Sequence, residues 1–149
     1  MKGEPMVDLG SVPTVRLLMR AMKLHHGNIH AKLEELGLYR GQAAILNVLW
    51  SEEGIAQTEI AARTWVSPAT MTHALQRMEQ VGLIERRPDA EDQRRSCVYL
   101  TDAGRALEGP VNQAWADIEG RMLDGFSQEE QMLLRQFLMA MIANMEKGV

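Results

Sequence analysis

The sequence predicts a mainly α-helical chain with a small β-hairpin, arranged as a winged helix-turn-helix. Two observations carry this prediction. A capped helix begins at Ser67 and stops at a turn at Gly82. Two short strand-like runs, residues 83–84 and 98–100, follow it and are joined by a charged loop. A helix that fits a DNA groove, followed by an arginine-tipped hairpin, is the layout of a DNA-binding winged helix.

Three helices are expected before this segment, at about residues 11–36, 40–50 and 57–64. Ser11 is the predicted cap of the first helix, with Pro13 in its first turn. The apolar stripe of the first helix contains Leu18, Met22, Ile29, Leu33 and Leu36. The second helix is apolar nearly all round, which predicts that it is buried centrally.

The helix at about residues 67–81 has two distinct faces. Ser67 can accept a hydrogen bond from a free N–H of the first turn, and Pro68 suits the first helical position. The apolar face contains Met71, Ala74, Leu75, Met78 and Val81. The opposite face contains Ala69, Thr70, Thr72, His73, Gln76 and Arg77. Small and hydrogen-bonding side chains can contact base edges and phosphates, although an ordinary solvated helix face has a similar composition.

The predicted hairpin loop is rich in arginine and contains no lysine. Its arginines are Arg86, Arg87, Arg94 and Arg95. Arginine suits a narrow minor groove and bidentate phosphate contact, and Asp92 could hold the guanidinium of Arg94 in place. The alternative is a solvated hairpin tip whose charges cancel. The acidic residues that favour this alternative are Glu85, Asp89, Glu91 and Asp92.

After the hairpin, Thr101 is predicted to cap a fifth helix, which Gly109-Pro110 should kink or briefly interrupt. Residues 127–130 have the pattern of a capping box that opens a last helix, ending near residue 146. Its apolar stripe contains Leu133, Leu134, Phe137, Leu138, Met141, Ile142 and Met145. A stripe this wide needs a partner surface, so we expect the terminal helices of two subunits to interleave. The alternative is that both helices pack only on their own core.

Size, charge and cysteine content limit the class of protein. The chain has 149 residues, enough for one domain, and its single cysteine, Cys97, permits no intrachain disulfide. The net charge is −4, yet residues 63–100 hold six basic and five acidic side chains, a balance that neither flank shares. The sequence has neither a signal-peptide pattern nor an apolar run of membrane length, which predicts a cytoplasmic protein.

Three histidines in the first helix, His25, His26 and His30, raise the question of a metal site. His26 and His30 lie one turn apart on one face, but such pairs occur often by chance and no cysteine lies nearby. Solvated or core-capping histidines are therefore expected, and no metal. The chain contains no phosphate-binding loop, dinucleotide-type glycine pattern, nucleophile elbow or H-E-x-x-H sequence, so neither an enzyme nor a cofactor is predicted.

An ordered set of residues along nearly the whole chain matches one known pattern. The set comprises Gln42, Gln57, Glu59, Ile60, Ala61, Ser67, Thr70, Thr72, Arg77, Glu79, Gly82, Leu83, Ile84, Arg87, Asp89, Asp92, Arg94, Leu100, Thr101 and Gly104. In their order and spacing the chain resembles the MarR family of bacterial transcriptional regulators. It departs from the family pattern at His73, where arginine is frequent, at Arg95, where a small residue is frequent, and at Ala56, which replaces a hydroxyl cap.

The resemblance implies a homodimer that binds a pseudo-palindromic operator on double-stranded DNA, usually as a repressor that a small-molecule effector releases. It implies one domain over residues 1–149, with residues of about 40–104 as the DNA-binding part and residues of about 11–37 and 105–147 as dimerisation helices. The expected DNA-contacting residues are Ser67, Ala69, Thr70, Thr72, His73, Arg77, Arg94 and Arg95, with Asp92 orienting the wing. The ligand pocket that the resemblance implies would be lined by Met22, His25, Ile29, Tyr39 and Trp50.

Two alternatives to this function remain open from the sequence. A winged-helix module that binds proteins and has lost DNA binding would explain the nearly neutral balance of residues 63–100 and the histidine at position 73. A metal-dependent regulator would explain the histidines of the first helix.

Overall fold

The computed structural model describes residues 11–39, 41–92 and 94–147, which form seven helices and three short strands. The elements are α1 (Thr14–Glu35), α2 (Gln42–Ser51), β1 (Ile55–Ala56), α3 (Gln57–Thr64), α4 (Pro68–Gln80), β2 (Ile84–Pro88), β3 (Ser96–Leu100), α5 (Asp102–Ala106), α6 (Glu108–Met122) and α7 (Gln128–Glu146). The mainly α fold with a small β-hairpin is therefore confirmed. None of the described helices combines the length and the apolarity that crossing a bilayer requires.

The predicted helix caps inside the chain are confirmed. The Ser67 hydroxyl accepts the N–H of Thr70 at 3.3 Å, and Pro68 occupies the first turn of α4. The Thr101 hydroxyl accepts the N–H of Gly104 at 3.1 Å and so opens α5. The capping box at the start of α7 is complete. The Ser127 hydroxyl accepts the N–H of Glu130, and the Glu130 carboxylate accepts the N–H of Ser127.

The predicted cap of the first helix is wrong. Helix α1 begins at Thr14, its N-cap is Pro13, and no side chain caps it. The Pro13 carbonyl accepts the N–H of Arg16 at 2.9 Å. A residue that precedes proline is disfavoured in the helical region, so the helix cannot take in the residues before Pro13 and Ser11 lies outside it.

The expected interruption after the hairpin is present, but it falls at Leu107, between α5 and α6. Gly109 and Pro110 lie just after it, in the first turn of α6. Proline is tolerated there because the first N–H groups of a helix have no partner within the helix. The chain therefore has two helices where the sequence predicted one.

The hairpin belongs to a three-stranded antiparallel sheet with the order β1-β3-β2. Strand β1 was not predicted from the sequence. It has only two residues, Ile55 and Ala56, which lie opposite Val98 and Cys97 of β3. A pair of residues is too short to show the alternation that identifies a strand, so this pairing depends on tertiary contact.

The chain divides into two compact units, Met1–Trp115 and Ala116–Val149. The largest fully buried side chains, all in the first unit, are Leu38, Ile45, Leu46, Leu49, Ile60, Met71, Leu75, Met78, Ile84, Val98 and Val111. Helices α2, α3 and α4 and the hairpin thus share one core. Helix α2 is apolar nearly all round and was predicted to be buried centrally, but Ala44 and Asn47 are exposed, so only one face of it is buried.

Helix α5 lies close against the turn before β2. A Cβ atom added to Gly104 would lie 2.1 Å from the Leu83 carbonyl oxygen, so only glycine fits there. Thr101 reinforces the contact, because its hydroxyl donates to the Gly82 carbonyl at 2.6 Å and its N–H donates to the Leu83 carbonyl at 3.1 Å. The start of α5 and this turn therefore form one hydrogen-bonded piece.

The terminal helices leave much apolar surface uncovered in the single chain. In α1 only Ile29 and Leu33 are buried, while Met22 of the predicted stripe is 51% exposed. Helix α7 has no buried residue among those described. Its exposed large apolar side chains are Met132, Leu133, Phe137, Leu138, Met139, Ile142 and Met145. The other two predicted members of its stripe, Leu134 and Met141, are half-buried.

Candidate nucleic-acid interface

Helix α4 is fixed against α3 so that its polar face is exposed. Its buried side chains, Met71, Leu75 and Met78, fill the core of the first unit. Gln57 at the start of α3 donates to the Thr72 hydroxyl at 2.6 Å, and that hydroxyl donates to the Pro68 carbonyl at 3.0 Å. The hydroxyl of Thr72, which was predicted to contact DNA, is therefore already engaged in holding the two helices together.

The other residues that were predicted on this face are exposed. Ser67 is a cap whose hydroxyl also lies 2.8 Å from the Thr70 hydroxyl. Ala69 and His73 are exposed, and so is Arg77 one turn later. Among the described residues Arg77 forms no ion pair. Its guanidinium remains available to an anionic partner.

A cleft of about 610 Å³ runs along this face. Its lining consists of Tyr39, Gln42, Thr70, His73, Ala74, Arg77, Gln80 and Val81. The structure therefore brings together three predicted DNA-contacting residues, Thr70, His73 and Arg77. The lining contains no carboxylate, so an anion in the cleft is not repelled by a negative side chain of its wall.

The wing, formed by β2, β3 and the loop between them, is tied to α4 by an ion pair. The guanidinium of Arg86 donates to Glu79 Oε2 from Nε at 3.0 Å and from Nη2 at 2.6 Å, and its backbone N–H donates to Oε1 at 3.3 Å. These bonds hold the pKa of the Glu79 carboxylate below its usual range, against the opposing effect of burial. Arg86 thus positions the wing and is not free to contact DNA.

Arg87 is also engaged within the wing. It pairs with Glu85, and its guanidinium carbon lies 4.7 Å from the centroid of the Tyr99 ring. The charges along strand β2 therefore cancel, as the solvated-hairpin alternative predicted for the whole loop.

The loop at the tip of the wing is held by two aspartates that accept backbone N–H groups. Asp89 Oδ1 accepts from Glu91 at 2.8 Å and from Asp92 at 3.3 Å. Asp92 Oδ1 accepts the backbone N–H of Arg94 at 3.0 Å. The prediction that Asp92 holds the guanidinium of Arg94 is therefore wrong. The short side chain of Asp92 binds the main-chain N–H two residues later, as aspartate commonly does in turns.

The two arginines at the tip extend from this loop. Arg94 and Arg95 are exposed, and neither forms an ion pair with any residue in the described parts of the chain. The backbone N–H groups of Glu91 and Asp92 hold the pKa of Asp89 below its usual range. The carboxylate that shapes the loop thus stays ionised, and the charge of Arg95 adds to this effect although the two side chains form no ion pair.

Cys97 lies near the loop end of β3, opposite Arg87, and is buried. Its thiol donates to Asp89 Oδ2 at 3.5 Å. Burial first, and the Asp89 carboxylate second, raise the pKa of this thiol. A thiol with a raised pKa forms little thiolate, which agrees with a structural role.

The residues predicted to line a ligand pocket lie in different surroundings. Trp50 Nε1 donates to the Gly104 carbonyl at 3.0 Å, and Ile29 is buried in the core. The His25 ring lies 5.7 Å from the ring of Trp115, and its Nδ1 is a buried atom without a described partner. Tyr39 is the only one of the predicted pocket residues in the lining of the α4 cleft.

The histidines of α1 do not form a complete metal site in the structure. His25 and His26 lie 5.8 Å apart between ring centroids, and His30 is half-buried. Throughout residues 11–39, 41–92 and 94–147, no three histidine, cysteine, aspartate or glutamate side chains are grouped to hold a metal ion.

Two features of this region were not predicted from the sequence. The pairing of Glu79 with Arg86 joins a helix to a strand, and no local pattern signals it. Trp65, between α3 and α4, has a φ of 56° and is 95% exposed. Its left-handed backbone was not predicted from the sequence, because glycine or asparagine is the usual residue in that conformation.

Comparisons with known proteins agree with this architecture. The family model of the MarR family matches residues 38–96. The HTH-type transcriptional regulator PecS of Dickeya dadantii (strain 3937) is 30% identical over 136 residues, which cover 91% of this chain and 80% of PecS. The HTH-type transcriptional regulator TtmR of Methylorubrum extorquens (strain PA1) is 39% identical over 71 residues, which cover 48% of this chain but only 36% of TtmR.

Solved structures extend the comparison to the fold. A mutant of S. aureus MepR superimposes with a TM-score of 0.81 at 24% identity, over 90% of this chain and 99% of MepR. A second MepR mutant, bound to an oligodeoxyribonucleotide, matches with a TM-score of 0.65 at 24% identity, over 91% of this chain and 99% of that one. At these identities the likeness shows a common fold.

Proposed function

This chain belongs to the MarR family, and we propose that it is a homodimeric repressor which a small ligand releases from a pseudo-palindromic operator. Membership of the family makes it a DNA-binding transcriptional regulator and not an enzyme. The observation that carries the proposal is the exposed face of α4, where Thr70, His73 and Arg77 line one cleft without a carboxylate. We place the protein in the cytoplasm, where bacterial chromosomal DNA lies.

Each exposed residue of α4 has a proposed role on DNA. The helix enters the major groove, where Thr70 and His73 contact base edges or the adjacent phosphates and Arg77 contacts a phosphate. Ala69 allows the backbone to approach the bases closely. Thr72 supports the helix through Gln57, so its methyl group is what remains for DNA.

The tip of the wing supplies a second contact. Arg94 is proposed to enter the minor groove and Arg95 to contact the neighbouring phosphates, since arginine suits a narrow, negative groove. Asp92 and Asp89 support both by fixing the loop backbone. The bond between Glu79 and Arg86 sets the direction in which the loop extends from α4.

The terminal helices are proposed to join two copies of the chain. Helix α7 has no buried residue among those described, yet it carries seven exposed large apolar side chains. Contiguous apolar surface of this kind marks an interface. A two-fold dimer presents two α4 helices to half-sites about one helical turn apart, which matches the symmetry of a pseudo-palindromic operator.

Release by a ligand is proposed to act through the spacing of these two helices. A ligand that binds one spacing better than the other shifts the population toward the form that fits DNA poorly. The buried Nδ1 of His25, which has no described partner, is a polar atom that a ligand could satisfy. No chemistry on the ligand is required.

Selection from a pool of random DNA duplexes tests the proposal. The purified chain should enrich a two-fold sequence whose half-sites are about 10 bp apart. An Arg77→Ala, Arg94→Ala double variant is the control, and it should recover little duplex. If the wild-type chain enriches no sequence and shifts no fragment at low salt, the winged-helix module that binds proteins becomes the better interpretation.

A further inference from the structure

A tyrosine from outside the helix-turn-helix shares the exposed face of α4. Tyr39 lies in the segment between α1 and α2, and it lines the cleft together with Thr70, His73 and Arg77. Its side chain is 67% exposed. A large aromatic side chain left in water beside three proposed DNA contacts is characteristic of a surface that a partner covers.

The backbone at Tyr39 is fixed by its neighbour. The N–H of Tyr39 donates to Gln42 Oε1 at 2.8 Å, and the N–H of Gln42 donates to the Tyr39 carbonyl at 3.0 Å. Gln42 itself is 7% exposed, and the adjacent Leu38 is fully buried. Because this backbone is already fixed, covering the ring costs only the rotational freedom of the side chain and not that of the loop.

The charge of the cleft indicates the chemistry of the partner. Its lining has one guanidinium and one imidazole, with hydroxyl and amide groups and no carboxylate. A phenolic hydroxyl can donate a hydrogen bond to a phosphate oxygen, and tyrosine is among the side chains that contact the DNA backbone. The backbone of a duplex whose bases meet α4 is the anion that this arrangement fits.

We propose that Tyr39 is a further DNA-binding residue, whose hydroxyl donates to a phosphate of the operator beside the one that Arg77 contacts. The inference rests on the proposed function, because it requires α4 to lie in the groove. It assigns Tyr39 to the DNA interface and not to the ligand pocket for which the family resemblance favoured it.

Tyr39→Phe tests the proposal because it removes only the hydroxyl. Affinity for the selected operator and for unrelated duplexes should fall alike, by about tenfold to a hundredfold, the scale of one hydrogen bond to a charged acceptor. The dependence on salt should stay unchanged, since no cation is lost. The matched control is Tyr99→Phe, the same change in the other of the two tyrosines, which lies outside this cleft. It should bind as the wild type does.

Phosphate ethylation interference identifies the contact directly. Ethylation of one phosphate in each half-site should block DNA binding by the wild-type chain. Ethylation of the same phosphate should not weaken binding by Tyr39→Phe any further. If the wild type binds and Tyr39→Phe binds equally well with an identical interference pattern, this inference alone is overturned. If the wild type binds no duplex, the proposed function fails, and the assignment of Tyr39 fails with it.

Discussion

Glu79 on α4 and Arg86 on β2 are joined by three hydrogen bonds, two from the guanidinium and one from the main chain. The wing is thereby held at a defined angle to the helix that is proposed to enter the major groove. Contact with two grooves at once requires such a fixed angle, because a loosely attached wing would lose conformational freedom on binding.

Glu79→Gln should weaken operator binding through this angle, although Glu79 itself is not proposed to touch DNA. The amide keeps the shape but loses the charge that orients Arg86, and unfolding should become easier by about 1 kcal/mol, as for a partly exposed pair. Operator affinity and urea unfolding measure the two effects. Glu85→Gln, which breaks the exposed pair with Arg87, is the matched control and should change both less.

The same pair predicts how this contact depends on pH. The folded-state pKa of Glu79 lies below its ordinary value of 4.5. Its contribution to stability is therefore complete above that value and is lost as the pH falls through the lower folded-state pKa. Unfolding of wild type and Glu79→Gln between pH 6 and pH 2 checks the sign. A stability difference that grows on acidification contradicts the assignment.

Trp65→Gly should stabilise the chain relative to Trp65→Ala. Both variants remove a side chain that is almost wholly exposed, so neither loses much packing. Only glycine relieves the left-handed backbone at φ 56°, a difference of about 1 kcal/mol in the free energy of unfolding. Equal midpoints in urea would show that this turn adopts another conformation in solution.

Arg94→Ala should lower operator affinity by about 1–3 kcal/mol, the scale of a well-placed groove contact. Folding should be unaffected, because the side chain is exposed and forms no ion pair in the described structure. Arg94→Lys keeps the charge and should recover only part of the affinity, since an ammonium lacks the planar fork. Full recovery with lysine would show a simple phosphate contact in place of the groove contact.

His73 and Arg77 should differ in what they contribute to binding. His73→Ala should relax the base preference at one position in each half-site, if the imidazole contacts a base edge. Arg77→Ala should weaken all sequences alike and lower the slope of affinity against salt by about one. A selected-site affinity matrix for both variants measures this. The reverse assignment would mean that the base-contacting face of α4 lies elsewhere.

Phe137→Asp should convert the proposed dimer into monomers. Phe137 is 62% exposed in the single chain, so the change costs the monomer little, but it places a charge in the proposed interface. Light scattering after size-exclusion chromatography reports the mass. Gln136→Asp, on the same helix, is the control and should remain dimeric. A dimer that survives Phe137→Asp would exclude this part of α7 from the interface.

Local signals predicted the fold well, whereas contacts between distant residues were missed. Ser67, Thr101 and Ser127 were identified as helix caps because a cap needs only the following three residues. The strand β1 and the pair of Glu79 with Arg86 depend on tertiary packing and leave no mark in the nearby sequence.

The candidate site shows the same division. The exposed face of α4 follows from helical periodicity, so the sequence placed Thr70, His73 and Arg77 on it, and all three are exposed. Asp92 was expected to bind the guanidinium of Arg94 but accepts its main-chain N–H instead. A spacing of two residues is compatible with either donor, so the sequence does not distinguish them. Tyr39 lies in the segment between α1 and α2, and no sequence pattern links that segment to α4, so its place beside α4 follows only from the fold.

The close contact of Gly104 with Leu83 joins the start of α5 and the turn before the wing into one rigid unit. Two hydrogen bonds from Thr101, to the Gly82 and Leu83 carbonyls, and the absence of room for a Cβ atom at Gly104 leave no hinge between them. A displacement of α5 must therefore move the first strand of the wing by a similar distance. The start of α5 is thus the place at which a rearrangement of that helix would be passed to the hairpin.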